Sequence, residues 1–256
     1  MTRNSVSYSL FFTGTGSGGN LSVGSSAAVL EKNGSPLLLI DCGPGTLNTY
    51  AEHYNGQLPS AVFLTHCHLD HIADLEILTV RARLRNAPPI PLFVPVSLIT
   101  LLHQRLATYP GQMAEGDHDF WQSFQLRPVS DAFRYGEEDF RIYPTRHHGP
   151  GSSFALQLPG VFFYSGDTRP VPELLHHVVS TEEKLFHDCG VHAVIHRTTE
   201  RACALRGRRG FRFSEVWSTK KASPKNSSSR LAAAVSGGAA GAAATPAASS
   251  ALASWC

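Results

Sequence analysis

Short apolar blocks alternate with turn residues along the first third of the chain, and this pattern predicts β-strands. Residues 5–13 alternate polar and apolar types well enough for a strand, and residues 25–30 read in the same way as the strand that returns beside it. The apolar run at 36–40 predicts a third strand, because Asn33 and Gly34 before it form a dipeptide that favours a tight hairpin.

The rest of the pattern mixes strands and helices. Apolar runs predict further strands at 60–64, 90–95, 124–128, 139–145, 161–164 and 184–186. Helical spacing of apolar residues predicts helices at 46–53, 72–85, 97–108 and 171–179, while 110–120 is polar and irregular. This order predicts a sheet-on-sheet core flanked by helices.

Composition narrows the class of protein. At 256 residues with 42% hydrophobic content, the chain can form one large core or two small ones. The sequence contains no run of about 18 apolar residues, so it predicts no transmembrane helix. The N-terminus lacks the pattern of a signal peptide. Five scattered cysteines fit reduced thiols better than disulfides, so a cytoplasmic location is expected.

Charge is unevenly distributed. Residues 1–200 carry 13 basic and 19 acidic side chains, whereas residues 201–256 carry nine basic side chains and one acidic. The basic pI is therefore a property of the tail, and it does not indicate that the folded part binds nucleic acid. We predict a domain at 1–198 and a tail at 199–256, basic and then rich in Ala, Ser and Gly, without a core of its own.

The strongest chemical pattern directly follows the apolar run at 60–64. Three histidines and an aspartate fall within six residues, namely His66, His68, Asp70 and His71. Imidazole and carboxylate are ligands that zinc and similar metals prefer. In an extended segment His66 and His68 point to the same face, and the two later residues lie where a helix begins. The spacing therefore predicts a metal site.

This His-x-His-x-Asp-His motif resembles that of the metallo-β-lactamase-fold hydrolases, closest to the ribonuclease Z and phosphodiesterase branch. The resemblance implies an α/β (α+β) fold, a four-layer αββα sandwich, here with an incomplete C-terminal part. Asp41, at the end of the strand at 36–40, resembles the residue that orients the metal-binding loop. The same Asp41 could instead, or in addition, cap the helix at 46–53.

Three later segments resemble further motifs of the family. His148 precedes a Gly-Pro-Gly turn and matches the histidine that completes the first metal site, with His147 as the alternative. Asp167, in Ser-Gly-Asp-Thr after an apolar strand, matches the aspartate that bridges two metals. His187 resembles the histidine that donates a proton to the leaving oxygen in ribonuclease Z, although Asp188-Cys189-Gly190 replaces Glu-Ala-Thr, so an ordinary strand-end histidine is an equal alternative.

The resemblance implies a zinc-dependent hydrolase of phosphodiester bonds, in which a hydroxide shared by two metal ions attacks. The implied metal ligands are His66, His68, Asp70, His71, His148 and Asp167, and the implied catalytic residues are Asp70 and His187. Zn²⁺ is the expected cofactor, as one or two ions, with Mn²⁺ or Fe as alternatives. The expected substrate is a small molecule, nucleotide or RNA phosphodiester; no membrane is expected as a partner, and relatives often form homodimers.

One expected ligand is missing from the pattern. A late strand should end in a histidine for the second metal, but after His187 the chain offers only His192 and His196, of which His196 is a weak substitute. The change of charge at the same place suggests a lost reading frame near codons 191–196. Two alternatives therefore stand beside the phosphodiesterase: another ester hydrolase, acting on lactones or thioesters, and a catalytically impaired metal-binding module.

Overall fold

The computed structural model describes residues 6–16, 23–107 and 116–188, in which two β-sheets are present. The first sheet has six strands whose spatial order follows the chain: β1 Tyr8–Gly14, β2 Ala27–Lys32, β3 Ser35–Ile40, β4 Val62–Phe63, β5 Ile90–Pro95 and β6 Phe124–Val129. Strands β1 to β3 pair antiparallel, whereas β3 to β6 pair parallel. Because β3 and β4 are parallel neighbours, their carboxyl ends meet at one edge of the sheet.

The second sheet has five strands in the spatial order β11-β10-β9-β8-β7. Their bounds are β7 Ala132–Tyr135, β8 Glu138–Pro144, β9 Phe154–Leu158, β10 Phe162–Tyr164 and β11 Lys184–Phe186. All pairs are antiparallel except β10 with β11. The loops after β8 and β10 emerge toward the first sheet, where they contribute to the site described below.

Six α-helices complete the described part of the chain: α1 Thr46–His53, α2 Leu69–Ile72, α3 Asp74–Leu84, α4 Ile99–Leu102, α5 Phe120–Ser123 and α6 Pro172–Val178. Helices α1 and α3 contact each other, and α3 buries Leu75 and Leu78 in the main core. Helix α6 packs Leu174 and Leu175 against the second sheet. Helices thus flank both sheets, which confirms the predicted α/β sandwich.

Aromatic rings fill the space between the two sheets. Phe133 of the second sheet stacks on Phe63 and Phe93 of the first, with ring centroids 5.7 and 4.2 Å apart. It also stacks on Phe140 of its own sheet at 4.9 Å. Each such pair adds about 0.5–1.5 kcal/mol beyond the burial of its area, so these rings hold the sheets in a fixed relation.

Several predicted elements are confirmed, among them the helix at 46–53 and the strand at 90–95. The continuous helix predicted at 97–108 is wrong, because this stretch is divided into a 3₁₀ turn at Val96–Leu98, the short α4 and a π-helical turn at His103–Ala107. The boundary at 198 and the tail lie outside the described residues. No described helix has the length and apolar character needed to span a membrane.

Candidate metal centre

The motif at residues 65–71 lies where the first sheet meets the second. Strand β4 is only two residues long and is buried between β3 and β5, so the chain leaves the sheet shortly before His66. His66 forms a bridge to Ser153, and the backbone N–H of Phe154 donates to the Thr65 carbonyl at 2.9 Å. The start of β9 in the second sheet therefore holds the motif in place.

Asp41 anchors the motif from the end of β3. Its carboxylate is fully buried and accepts three hydrogen bonds: from the Thr65 backbone N–H at 2.8 Å, the Thr65 hydroxyl at 2.7 Å and His71 Nδ1 at 2.8 Å. When a carboxylate accepts a hydrogen bond from the Nδ1–H of a neutral histidine, the Nε2 lone pair is available for a metal. The geometry therefore matches the orienting role that the sequence predicts for Asp41.

The alternative role of Asp41, as the cap of α1, is wrong. The N-cap residue of α1 is Gly45, and it makes no side-chain capping bond. Asp74 contributes there instead, because its Oδ2 accepts the backbone N–H of Leu47 at 3.0 Å. Sequence reasoning missed Asp74, since an acid that follows the metal motif gives no local indication that it contacts a helix 27 residues earlier.

Three histidines form the first group of ligand-type atoms. His66, His68 and His147 each offer one nitrogen, and these atoms all lie within 4.8 Å of one another. His68 Nδ1 is 3.1 Å from His66 Nε2 and 3.2 Å from His147 Nε2. Nitrogens that share a tetrahedral zinc ion at about 2.0–2.1 Å would be about 3.3 Å apart. The spacing of this group therefore fits a metal ion.

His148, which the sequence favours over His147, occupies a different place. Its side chain is exposed, and its Nε2 contacts His68 Nε2 at 2.5 Å, on the opposite edge of the His68 ring from Nδ1. The Arg146 backbone N–H donates to the Thr168 hydroxyl at 2.9 Å, and this bond sets the direction of the chain before His147. The structure thus favours the alternative, His147, as the third nitrogen.

The second group consists of Asp70, His71 and Asp167, whose ligand-type atoms also lie within 4.8 Å of one another. His71 Nε2 is 3.4 Å from Asp167 Oδ2 and 3.7 Å from Asp70 Oδ2. Asp167 Oδ2 is also 3.8 Å from His147 Nε2, so this carboxylate lies between the two groups. His71 Nε2 is buried and has no hydrogen-bond partner among the described residues. A cation between these atoms would satisfy it.

The electrostatics differ between the two ligand groups. Burial lowers the pKa of His66 to about 2, and burial is also the largest cause of the lowered pKa values of His68 and His147. These imidazoles are therefore neutral at pH 7. Burial alone would lower the pKa of His71, but the carboxylates of Asp41 and Asp167 outweigh it and raise that pKa well above its usual value. The second group thus attracts positive charge.

The loop that carries Asp167 is tied to the segments around it. Gly166 has a φ of +59°, and a Cβ there would lie 3.1 Å from the Thr65 Cβ, so a glycine fits best. The Thr168 backbone N–H donates to Asp188 Oδ2 at 3.2 Å, and the Asp188 N–H donates to the Ser165 hydroxyl at 3.0 Å. The end of β11 therefore supports the loop that presents Asp167.

His187 lies at this end of β11 and is 3% exposed. Its Nδ1 lies 2.6 Å from the carbonyl oxygen of Asp188, to which it donates. This bond fixes the ring, and the catalytic role of His187 stays a prediction. His192 and His196, and with them the question of the missing ligand and the reading frame, lie outside the described residues.

Sequence reasoning missed two more residues at the site. Gly43 lies so close to the motif that a Cβ there would be 1.6 Å from the Asp70 carbonyl oxygen. This close approach depends on the fold and leaves no pattern in the sequence. Arg105 donates from Nη1 to the Cys67 carbonyl at 2.6 Å, and no sequence pattern around Arg105 indicates this contact.

Comparisons with known proteins show which family the chain belongs to. A family model described as anti-Pycsar protein Apyc1 matches residues 8–208. The anti-Pycsar protein Apyc1 of Saccharibacillus brassicae is 29% identical, over 66% of this chain and 68% of the relative. Ribonuclease Z of Mycolicibacterium gilvum (strain PYR-GCK) is 28% identical, over 66% of this chain and 63% of the relative.

A solved structure shows the fold. The metallo-β-lactamase fold protein YhfI of Bacillus subtilis superposes with a TM-score of 0.57 at 16% identity, over 73% of each chain. This agrees with the two sheets of the described residues. The chain has the metallo-β-lactamase fold and belongs to the family described as anti-Pycsar protein Apyc1.

Proposed function

We propose that this protein is a zinc-dependent hydrolase of phosphodiester bonds. One observation carries the proposal: two groups of ligand-type side chains lie side by side, with Asp167 between them. A single metal ion would need only one such group. Two adjacent groups with a shared carboxylate support a site for a pair of ions, the arrangement used for in-line displacement at phosphorus.

The residues present fit zinc. His66, His68 and His147 would hold one ion, and Asp70, His71 and Asp167 would hold the other, with Asp167 near both. Nitrogen and carboxylate donors suit zinc, and the same donor set also accepts manganese or iron. When bound, such ions lower the pKa of water and neutralise charge on phosphoryl oxygens.

The protein side chains have distinct tasks around that chemistry. Asp41 fixes the His71 ring by accepting a hydrogen bond from its Nδ1, so that Nε2 points into the site. The Asp70 carboxylate is partly exposed and can accept the proton of the attacking water at its Oδ atoms. His187 would give a proton to the leaving oxygen, a role proposed from the resemblance to ribonuclease Z; the next residue, Asp188, is bonded to the loop that carries Asp167.

A phosphodiester is favoured over other esters because of the relatives. Ribonuclease Z is named for cleavage of RNA, a phosphodiester polymer, and it is 28% identical to this chain over 63% of its own length. A lactone or thioester hydrolase of the same fold, and a metal-binding module with impaired catalysis, remain the alternatives. Formation of a homodimer stays a prediction.

A substrate panel tests the proposal with the zinc-loaded full chain. It contains bis(p-nitrophenyl) phosphate, a cyclic mononucleotide, a precursor tRNA, a lactone and a thioester. We expect cleavage of a phosphodiester that His68→Ala abolishes and His177→Ala retains, because His177 is exposed on α6 and belongs to neither ligand group. Turnover of the lactone or thioester alone would refute the proposal, and two bound zinc ions without any turnover would favour the impaired module.

A further inference from the structure

Arg105 lies against the backbone of the metal motif although it comes from a distant part of the chain. It belongs to the π-helical turn His103–Ala107, which follows α4. Its Nη1 donates to the carbonyl oxygen of Cys67 at 2.6 Å. Cys67 stands between His66 and His68, so the guanidinium group is fixed beside two residues of the first ligand group.

The guanidinium group retains hydrogen-bonding capacity toward a ligand. Arginine has five N–H donors in a rigid, planar arrangement, and one of its nitrogens is engaged by the Cys67 carbonyl. Arg105 is exposed, and none of the ion pairs found among residues 6–16, 23–107 and 116–188 includes it. In contrast, Arg146, next to His147, pairs with Glu173.

The positive charge of Arg105 lies close to the first ligand group, because Cys67, whose carbonyl it contacts, stands between His66 and His68. A cation placed beside neutral ligand histidines does not help to attract a metal ion. It does suit a ligand that carries negative charge and approaches the metals from the solvent side, since guanidinium binds phosphate oxygens strongly.

We propose that Arg105 is a substrate-binding residue that donates to a phosphoryl oxygen of the substrate beside the metal ions. This inference rests on the proposed function, because it assumes an anionic phosphate ester at the same site. The Cys67 carbonyl holds the guanidinium in place before the substrate arrives, which reduces the entropy lost on binding. The competing explanation is that Arg105 only stabilises the backbone between His66 and His68.

The experiment compares Arg105→Met and Arg105→Lys with the wild-type protein, all as zinc-loaded full chains. Arg127→Met is the matched control, because Arg127 is exposed on β6 and its guanidinium contacts Gln125. For each protein we would measure zinc content, kcat and KM for bis(p-nitrophenyl) phosphate, and the Kd of inorganic phosphate by calorimetry.

We expect Arg105→Met to keep its zinc and to raise both KM and the phosphate Kd by about 10- to 100-fold, the usual effect of losing a hydrogen bond to a charged group. Arg105→Lys retains the charge but not the planar fork, so it should lie between Arg105→Met and wild type. Arg127→Met should match the wild type.

Three results would overturn this role of Arg105. They are zinc loss in Arg105→Met and Arg105→Lys, unchanged KM and phosphate Kd in both variants, and a wild-type protein that does not bind phosphate. The experiment can refute the proposed function independently of this role of Arg105. If the wild type cleaves no phosphodiester but binds phosphate in an Arg105-dependent manner, the anion site stands and the hydrolase proposal does not.

Discussion

Gly43 offers the sharpest test of how the fold positions the second ligand group. An added Cβ at this residue would lie 1.6 Å from the Asp70 carbonyl oxygen and 2.8 Å from the Ser25 Cβ. Carbon and oxygen atoms that do not bond stay about 3.3 Å apart or more. In the Gly43→Ala variant, the added Cβ and the Asp70 carbonyl oxygen must therefore move apart by about 1.7 Å.

The surrounding hydrogen bonds prevent easy relief of this collision. The Cys42 N–H donates to the His71 carbonyl at 2.7 Å, and the Asp74 N–H donates to the Cys42 carbonyl at 2.9 Å. Both bonds join the segment that contains Gly43 to the segment that contains Asp70. Separating Gly43 from Asp70 therefore strains these bonds, and the shift reaches the Asp70 and His71 side chains.

A displacement of about 1 Å at a catalytic group can lower a rate by about 100-fold. We therefore expect Gly43→Ala to lose at least about 100-fold in kcat/KM and to hold less zinc in the second group. Overpacking of this kind costs about 1–3 kcal/mol, which lowers the Tm by about 2–12 °C in a domain of this size. Activity, zinc content and calorimetric Tm are the measurements.

Gly149→Ala is the matched control, because a Cβ at Gly149 meets no atom within 4 Å although the residue is next to His148. It should retain zinc, Tm and activity within about twofold, as expected for a methyl group added to open space. A Gly43→Ala protein with full zinc content, normal activity and unchanged Tm would refute the close approach between Gly43 and the motif.

Three further predictions concern the ligands and their protonation. His147→Ala should remove one zinc ion, whereas His148→Ala should retain both, as metal analysis after gel filtration would reveal; the reverse result would restore His148 as the ligand. Asp41→Asn should weaken zinc binding by about 10- to 100-fold in a chelator competition, because the His71 ring loses its carboxylate partner; unchanged affinity would contradict that role. The Tm of the metal-free protein should fall as the pH is lowered from 7 to 5, because the pKa values of His66, His68 and His147 are lowered in the folded state. The unfolded chain, in which histidine has a pKa of about 6.5, therefore takes up more protons than the folded protein. A Tm that is constant or rises over this range would show that the opposite shift of His71 dominates.

The sequence predicts those parts of the fold and site that depend on nearby residues. The motif at 65–71 indicates a metal site because its ligands are close along the chain. The helix at 46–53 has the predicted bounds. The sequence could not predict in this way that His147 rather than His148 lies in the group with His66 and His68, because this depends on the packing of the loop after β8. Arg146 in this loop is bonded to Thr168, 22 residues later.

The same limit explains the other differences. The alternative role of Asp41 as a helix cap rests on its position before α1, yet its carboxylate accepts hydrogen bonds from Thr65 and His71. The contact between Arg105 and Cys67 spans 38 residues and leaves no periodic pattern in either segment. Each of these contacts follows from the packing of two elements, so it can be seen only once the elements are in place.

The two ligand groups draw on both halves of the sandwich. His66, His68, Asp70 and His71 follow a strand of the first sheet, whereas His147 and Asp167 follow strands of the second. Bound metal ions would therefore act as a cross-link between the two sheets. Zinc at 1,000 times its Kd would add about 4 kcal/mol to the free energy of unfolding. Metal supply would thus control how long the two sheets stay together, and so the lifetime of the protein as well as its activity.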